Sequence, residues 1–433
     1  MRTNQKIGIF TSVILVMAIM VDTGIYTSLG LQLLSISSAF TILTLWVLAG
    51  IGALCGALSY AELASLMPHS GGEYYYLSKI YHPAVGTMAG IIGQLAGFSA
   101  PIALASMAFG KYFQALFPSS NAMLSSIILV TVVTGAHLFN LRYSAIFQNS
   151  VTGLKFLLIA IFLYVGFRYA TITPKIFLPS KVAIKELFHP SSGVVLVFCF
   201  YAYSGWNSSI YIADDVVSAR RNVGRSLIIG SLLVILIYLL MNVVFLMAAP
   251  LGELRGVLDI GRVVAFHLLG QEGGYMMAGL IAVGLIAGVS GMAWLGPHIT
   301  QMMGRDLPAL CWLAPVSKSN IPLRAMFFQY ILVLLMLMTS SFKAILISAE
   351  IPLIFCNLLG VVGVVILRWK HHKIDDYEGF KCPFYPLPPL LFATISMIAL
   401  IYTMITNPME GIIGVTIIIG ALLLYPLFII RAT

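Results

Sequence analysis

Asp22, Lys155 and Glu350 stand well inside long apolar runs of this sequence. A charge in hydrocarbon is costly, so such residues face a protein interior or a water-filled path and are functional hypotheses by default. The chemistry open to them is electrostatic: holding a charged solute, pairing with one another, or carrying a proton. Two polar, glycine-bearing breaks interrupt apolar runs as well. One is Asp22-Thr23-Gly24, followed by Gly30, and the other is Tyr203-Ser204-Gly205-Trp206-Asn207. Glycine lets a backbone leave the helix, and freed N–H and C=O groups can then hold a solute near the middle of a bilayer. Isolated glycines also serve close helix packing. Two breaks at matching places in two halves favour a site over packing. Catalytic chemistry finds no such support. His371-His372 is a pair without clustered acids or thiols. The cysteines Cys55, Cys199, Cys311, Cys356 and Cys382 are scattered without metal-ligand spacing and read as reduced and structural. No enzyme, metal or cofactor is expected.

The elements that must position these residues are legible from composition. The chain has 433 residues, 60% of them hydrophobic and 9% charged, with a mean hydropathy of +0.99. A soluble domain carries roughly 25% charged residues, so this chain cannot cover a soluble surface. Apolar runs of spanning length recur from end to end, and in lipid each must satisfy its own backbone as a helix. None alternates as a membrane barrel strand would. Twelve spans are predicted, at 7–31, 39–66, 84–116, 122–139, 146–169, 192–213, 226–250, 274–303, 323–340, 344–367, 388–406 and 411–430. Met1 to Lys6 show no cleavage site, and the first run is too long for a signal-peptide core. The net charge of +9 does not point to nucleic acid, because the basic residues sit in short loops. Among them Arg220, Arg221, Arg225, Arg305, Arg368 and Lys370 fall on the side of the N-terminus, which places both termini in the cytosol. A channel would show repeated polar rings, and a receptor would carry an output domain; neither is visible.

Two segments are long enough to carry a resemblance. Ser59-Tyr60-Ala61-Glu62-Leu63, followed by Met67-Pro68-His69-Ser70-Gly71-Gly72-Glu73-Tyr74, resembles the second-helix signature of the amino acid–polyamine–organocation (APC) superfamily. Tyr201-Ala202-Tyr203-Ser204-Gly205-Trp206-Asn207, continued by Ala213-Asp214-Asp215-Val216 and Arg220-Arg221-Asn222, is similar to the sixth helix of L-type amino acid transporters and their bacterial relatives. A weaker third, Thr23-Gly24-Ile25-Tyr26, is like the Gly-Ser-Gly-Ile-Phe stretch of helix one. The resemblance covers essentially the whole chain. It implies an all-α membrane protein of twelve transmembrane helices in one polytopic domain. The arrangement is a LeuT-like five-plus-five inverted repeat, 1–170 and 192–367, with discontinuous helices one and six and two added helices at 388–430. The implied function is secondary active transport of amino acids by alternating access at the cell membrane, as a sodium-independent permease or exchanger, with proton coupling open. An amine or polyamine carrier is the alternative, and it turns on Asp22.

The resemblance also distributes roles. Thr23, Gly24 and Ile25 would supply unwound amides for a substrate carboxylate. Tyr201, Ala202, Tyr203 and Gly205 would supply the facing surface, whose carbonyls receive the amine. Tyr201 and Trp206 also read as core aromatics, and Asn207 either meets the substrate or braces a helix. Lys155, within Thr152-Gly153-Leu154-Lys155, resembles the helix-five lysine of sodium-independent members, whose ammonium replaces a sodium ion between helices one and eight. A permanently charged strut is the other reading. Asp22 departs from the family's usual glycine: it would attract an amine, pair with Lys155 or carry a proton. In helix eight, Ser290-Gly291 leaves space facing the site and His298 stands near a position that is basic in relatives. Glu350 would serve an outer gate or protonation. Asp214-Asp215 and Arg220-Arg221 form either a solvated, salt-bridged loop or part of an inner gate. The loop from Lys111 to Met123 lacks a cysteine, so no disulfide-linked heavy subunit is expected.

Overall fold

The computed structural model describes residues 7–138, 141–170, 174–317, 321–339, 341–370 and 379–429, and only the backbone of 141–151, 174 and 175. Met1 to Lys6 and the His371-His372 pair lie outside them. Among the described residues the architecture is helical, with no strand beyond a bridge between Ile7 and Val216. Among the described residues nine helices are long and apolar enough to cross a membrane. A tenth candidate is the pair Lys181–Leu187 and Ser191–Asp215, bent by 72°. Ala122–His137 and Leu323–Thr339 are shorter apolar helices. Together these fall on the twelve predicted segments.

Local sequence explains where the helices begin. Ser38 opens Ala39–Leu66 by accepting from the Thr41 amide at 3.3 Å, and Asn121 opens Ala122–His137 by accepting from Leu124 at 3.1 Å. Each satisfies one of the amides that a first turn leaves orphaned. Pro83, at the first turn of the third segment, has no amide to orphan. The eighth segment differs from expectation. It runs from Ile260 to Asp306 rather than starting at 274, because Gly270 takes φ 75° and ψ −169° and lets two helices follow one another without a loop.

Two polar anchors fix one end of the bundle. Glu62, fully buried near the end of Ala39–Leu66, receives Arg368 through two hydrogen bonds of 2.8 and 2.7 Å and the Cys382 amide at 2.7 Å. Ser65 receives the Phe380 amide at 2.9 Å. Nearby, the Pro68–Gly72 turn is clasped to the end of segment six. Ser70 and Asp214 exchange backbone-to-side-chain hydrogen bonds of 3.2 and 3.0 Å, and His69 lies 3.5 Å from Asp214. At the same end Ile7 bonds to Asp215 and Val217 at 2.8 and 2.9 Å.

Candidate functional site

The first segment is two helices, Ile9–Met20 and Thr23–Gln32, separated by Val21 (ψ 85°) and Asp22 (φ −133°, ψ −149°). The break is therefore shorter than expected. Thr23, Gly24 and Ile25 are not unwound; they form the first turn of the second helix. A first turn already leaves its amides without intrahelical partners, so a donor surface needs only two non-helical residues. The sixth segment breaks as its sequence suggests. Ser191–Tyr203 ends at Ser204 (ψ 147°), Gly205 takes φ +93°, and the chain resumes as a 3-10 turn over Ser208–Asp215.

The two breaks face each other. A Cβ on Gly24 would collide with the backbone and side chain of Ala202, and one on Gly205 would lie 2.7 Å from Ile19 Cγ2. Larger residues at either position would force the breaks apart. The Tyr238 hydroxyl lies within hydrogen-bond distance of both, 2.5 Å from the Met20 carbonyl and 3.0 Å from the Ala202 carbonyl. One side chain thus spans both unwound ends.

Between the breaks opens a cavity holding about 830 Å³ of space free of atoms, part of it continuous with solvent. Asp22, Gly24, Tyr201, Ala202, Gly205 and Asn207 line it, as do Met292 and Leu295 of the eighth segment and Leu353, Cys356 and Asn357 of the tenth. Four expected site residues do not line it. Thr23 and Ile25 point into the core. Tyr203 is fully buried against Trp46 and Tyr238, with ring centroids 5.6 and 5.1 Å away, because one residue turns it about 100° round the helix from Ala202. Gly291 lies beside the lining residue Met292 without lining the cavity itself. Ser290 bonds to His137 at 2.9 Å instead of facing the cavity, and His298 bonds to the Trp294 carbonyl at 2.9 Å. Trp206 is a core aromatic, 4.9 Å from Tyr60 between ring centroids.

The charged residues are arranged in layers. Lys155, buried in the fifth segment, donates to the Val21 carbonyl at 2.5 Å and the Ala18 carbonyl at 3.3 Å. Its ammonium therefore sits on the break of helix one. Asp22 follows Val21 directly, yet among the described residues no ion pair joins it to Lys155. The carboxylate turns against Gly288 of the eighth segment, where a Cβ would clash with it, and its Oδ1 is buried without a partner. Glu350 is buried on the tenth segment, one helical turn from Leu353 on the same face and outside the cavity lining.

Sequence reasoning missed three contributors. Glu73, on the short helix Gly72–Ile80 between the second and third segments, lines the cavity and accepts hydrogen bonds from Asn207 and Tyr211. Tyr238 was one more aromatic in an apolar run. Finally, Gly93–Ser99 of the third segment is a π-helical stretch, and its Gly93, Gly97 and Phe98 line the cavity. Such stretches recur at functional sites. The two glycines were the only signal for it.

Comparison with known proteins bears directly on this geometry. A model of the amino acid permease family matches residues 7–428. The chain belongs to the amino acid permease family, within the APC superfamily. The permease is also similar to three human and mouse transporters. It is 25% identical over 434 residues to the human large neutral amino acids transporter small subunit 2, across 98% of this chain and 80% of that protein. It is 22% identical over 443 residues to the mouse b(0,+)-type amino acid transporter 1, across 98% and 88%. It is 24% identical over 427 residues to the human Asc-type amino acid transporter 1, across 96% and 80%. The permease is a multi-pass membrane transporter and not an enzyme.

Proposed function

We propose that this permease carries amino acids across the cell membrane by alternating access, without sodium, as a secondary active permease or exchanger. The observation that carries the reading is the Lys155 ammonium on the Ala18 and Val21 carbonyls. Those carbonyls are freed by the helix-one break, and a fixed positive charge there does the work of a bound cation. Gly24, Tyr201, Ala202, Gly205 and Asn207 are the proposed substrate contacts. The first-turn amides at Thr23–Ile25, at the positive end of a helix dipole, suit a carboxylate. Gly291 is proposed only as a neighbour of that surface. Lys155, Asp22 and Glu350 are the proposed coupling and gating groups, and protons are the coupling ion consistent with buried carboxylates. An amine carrier is the second reading, favoured by the unpartnered Asp22 Oδ1.

The same reading takes the helices as twelve crossings: nine long helices, one bent pair and two shorter helices. It takes 1–170 and 192–367 as inverted repeats, since each begins with a broken helix, and 388–430 as an added pair. Both termini are assigned to the cytosol by the basic loops. The human relative is named a small subunit, which describes that protein. Here the connection after Leu116 carries no cysteine, and we propose function without a disulfide-linked partner.

One experiment tests the core of this. Counterflow of amino acids in proteoliposomes should proceed at full rate with sodium replaced by choline. Gly93→Leu should stop it, because a Cβ at Gly93 meets nothing within 4 Å and the added side chain fills the cavity without disturbing the fold. A strict sodium requirement would remove the role given to Lys155. Undiminished counterflow in a normally melting Gly93→Leu protein would move the site elsewhere.

A further inference from the structure

The residues lining the cavity include two carboxylates, Asp22 and Glu73, and no lysine, arginine or histidine. Lys155 lies behind the helix-one break and is outside the lining. The two acids occupy different places. Asp22 belongs to the break of helix one, beside Gly24 and Ala202. Glu73 lies beyond the sixth-segment break, bonded to Asn207 and Tyr211. Asn207 in turn reaches Asn357 of the tenth segment at 3.4 Å. Glu73 is nine-tenths buried, and among the described residues no ion pair involves it. Besides the two donors from segment six, the Tyr60 hydroxyl and the residue's own backbone amide lie close to the carboxylate, and none of these groups carries a positive charge. An isolated carboxylate in a buried site is costly unless a partner neutralises it.

We infer that Glu73 is the seat for a positive group at the far end of the substrate's side chain, so that this site takes dibasic amino acids. The inference rests on the proposed placement of the α-amino and α-carboxylate groups at the two breaks. With that end fixed beside Gly24 and Ala202, a side chain running along segment six past Asn207 meets Glu73. A terminal ammonium or guanidinium supplies the missing charge, and a charge-assisted bond of this kind is the strong sort. The titratable groups around Glu73 are Tyr60 from the second segment, Tyr76 from its own helix, Tyr211 from the sixth and Cys356 from the tenth. None brings a positive charge. Burial pushes the Glu73 carboxyl above the usual carboxylate range, so a proton and the substrate's cation compete for it.

Arginine and citrulline test this, because they share size and shape and differ in the charge of the terminal group. Their affinities would be measured by calorimetry on the purified full chain, at several pH values. Wild type should bind arginine at least ~10-fold more tightly than citrulline, and the margin should shrink as pH falls. Glu73→Gln should bring the two ligands level, and Glu73→Asp should keep a preference for arginine. Equal affinities in wild type would overturn the inference and leave the amino acid site standing. So would a Glu73→Gln protein that loses both ligands alike, which would make the residue a brace for segment six. Binding of neither ligand, together with indifference of every bound amino acid to Gly93→Leu, would remove the site reading and this inference with it.

Discussion

Glu73 shows how burial changes the work a common residue does. Its carboxyl is pushed above the ordinary range chiefly by loss of water, and the hydrogen bonds from Tyr211 and Asn207 pull the other way without winning. In the pH interval above an ordinary glutamate's value of ~4.3, the folded chain keeps a proton that the unfolded chain has released. Stability must then fall as pH rises through that interval. The detergent-solubilised protein without ligand should melt at a higher temperature near ~pH 5 than near ~pH 8, and Glu73→Gln should flatten the difference. A Glu73→Gln protein with the wild-type pH profile would show that the carboxyl is ionised throughout. Asp22 and Lys155 were visible in the sequence because a charge in an apolar run is costly and stands out. Glu73 was not, because an acid in a polar turn is ordinary until segment six folds over it. Asp22 also corrects an expectation. A direct pair with Lys155 is one of the three roles open to it, but the ammonium donates to two carbonyls of the break and the carboxylate lies against Gly288.

At the scale of elements, glycine and proline placed the breaks and ends well, and helix extents followed from apolar length. The places where expectation and structure part are those that depend on a neighbour. Tyr203 sits one residue from Ala202 and so faces the core, which only the register of the helix decides. The π-helical stretch at Gly93–Ser99 has no periodic signature. The clamp on the end of Ala39–Leu66 is of the same kind. Glu62 was read as part of a motif, and its partner Arg368 lies 306 residues away. Removing one member of a buried pair strands the other, at ~3–5 kcal/mol. Arg368→Ala should lower the melting temperature sharply, and Glu62→Gln combined with Arg368→Met should recover most of the loss. Equal destabilisation by the single and the double variant would mean that the pair is solvated and contributes little.

For the molecule as a whole, the question is how two broken helices act as one device. Tyr238 supplies a mechanical answer, since its hydroxyl reaches the Met20 and Ala202 carbonyls together. Tyr238→Phe removes about 1 kcal/mol of net hydrogen bonding and frees the breaks to move separately. Equilibrium binding should survive while counterflow slows; a parallel loss of both would make the tyrosine part of the substrate site. The contact between Gly205 and Ile19 has a consequence of another sort, in inheritance. A methyl group at 205 would meet Ile19 Cγ2 at 2.7 Å and would also have to hold φ +93°, so Gly205 cannot change before Ile19 does. Across descendants of a common ancestor, an alanine at the place of Gly205 should arrive only where the residue at the place of Ile19 has already become smaller. The two should then change in that order along the branches of a tree, leaving a record of the meeting of the two breaks that can be read without any structure at all.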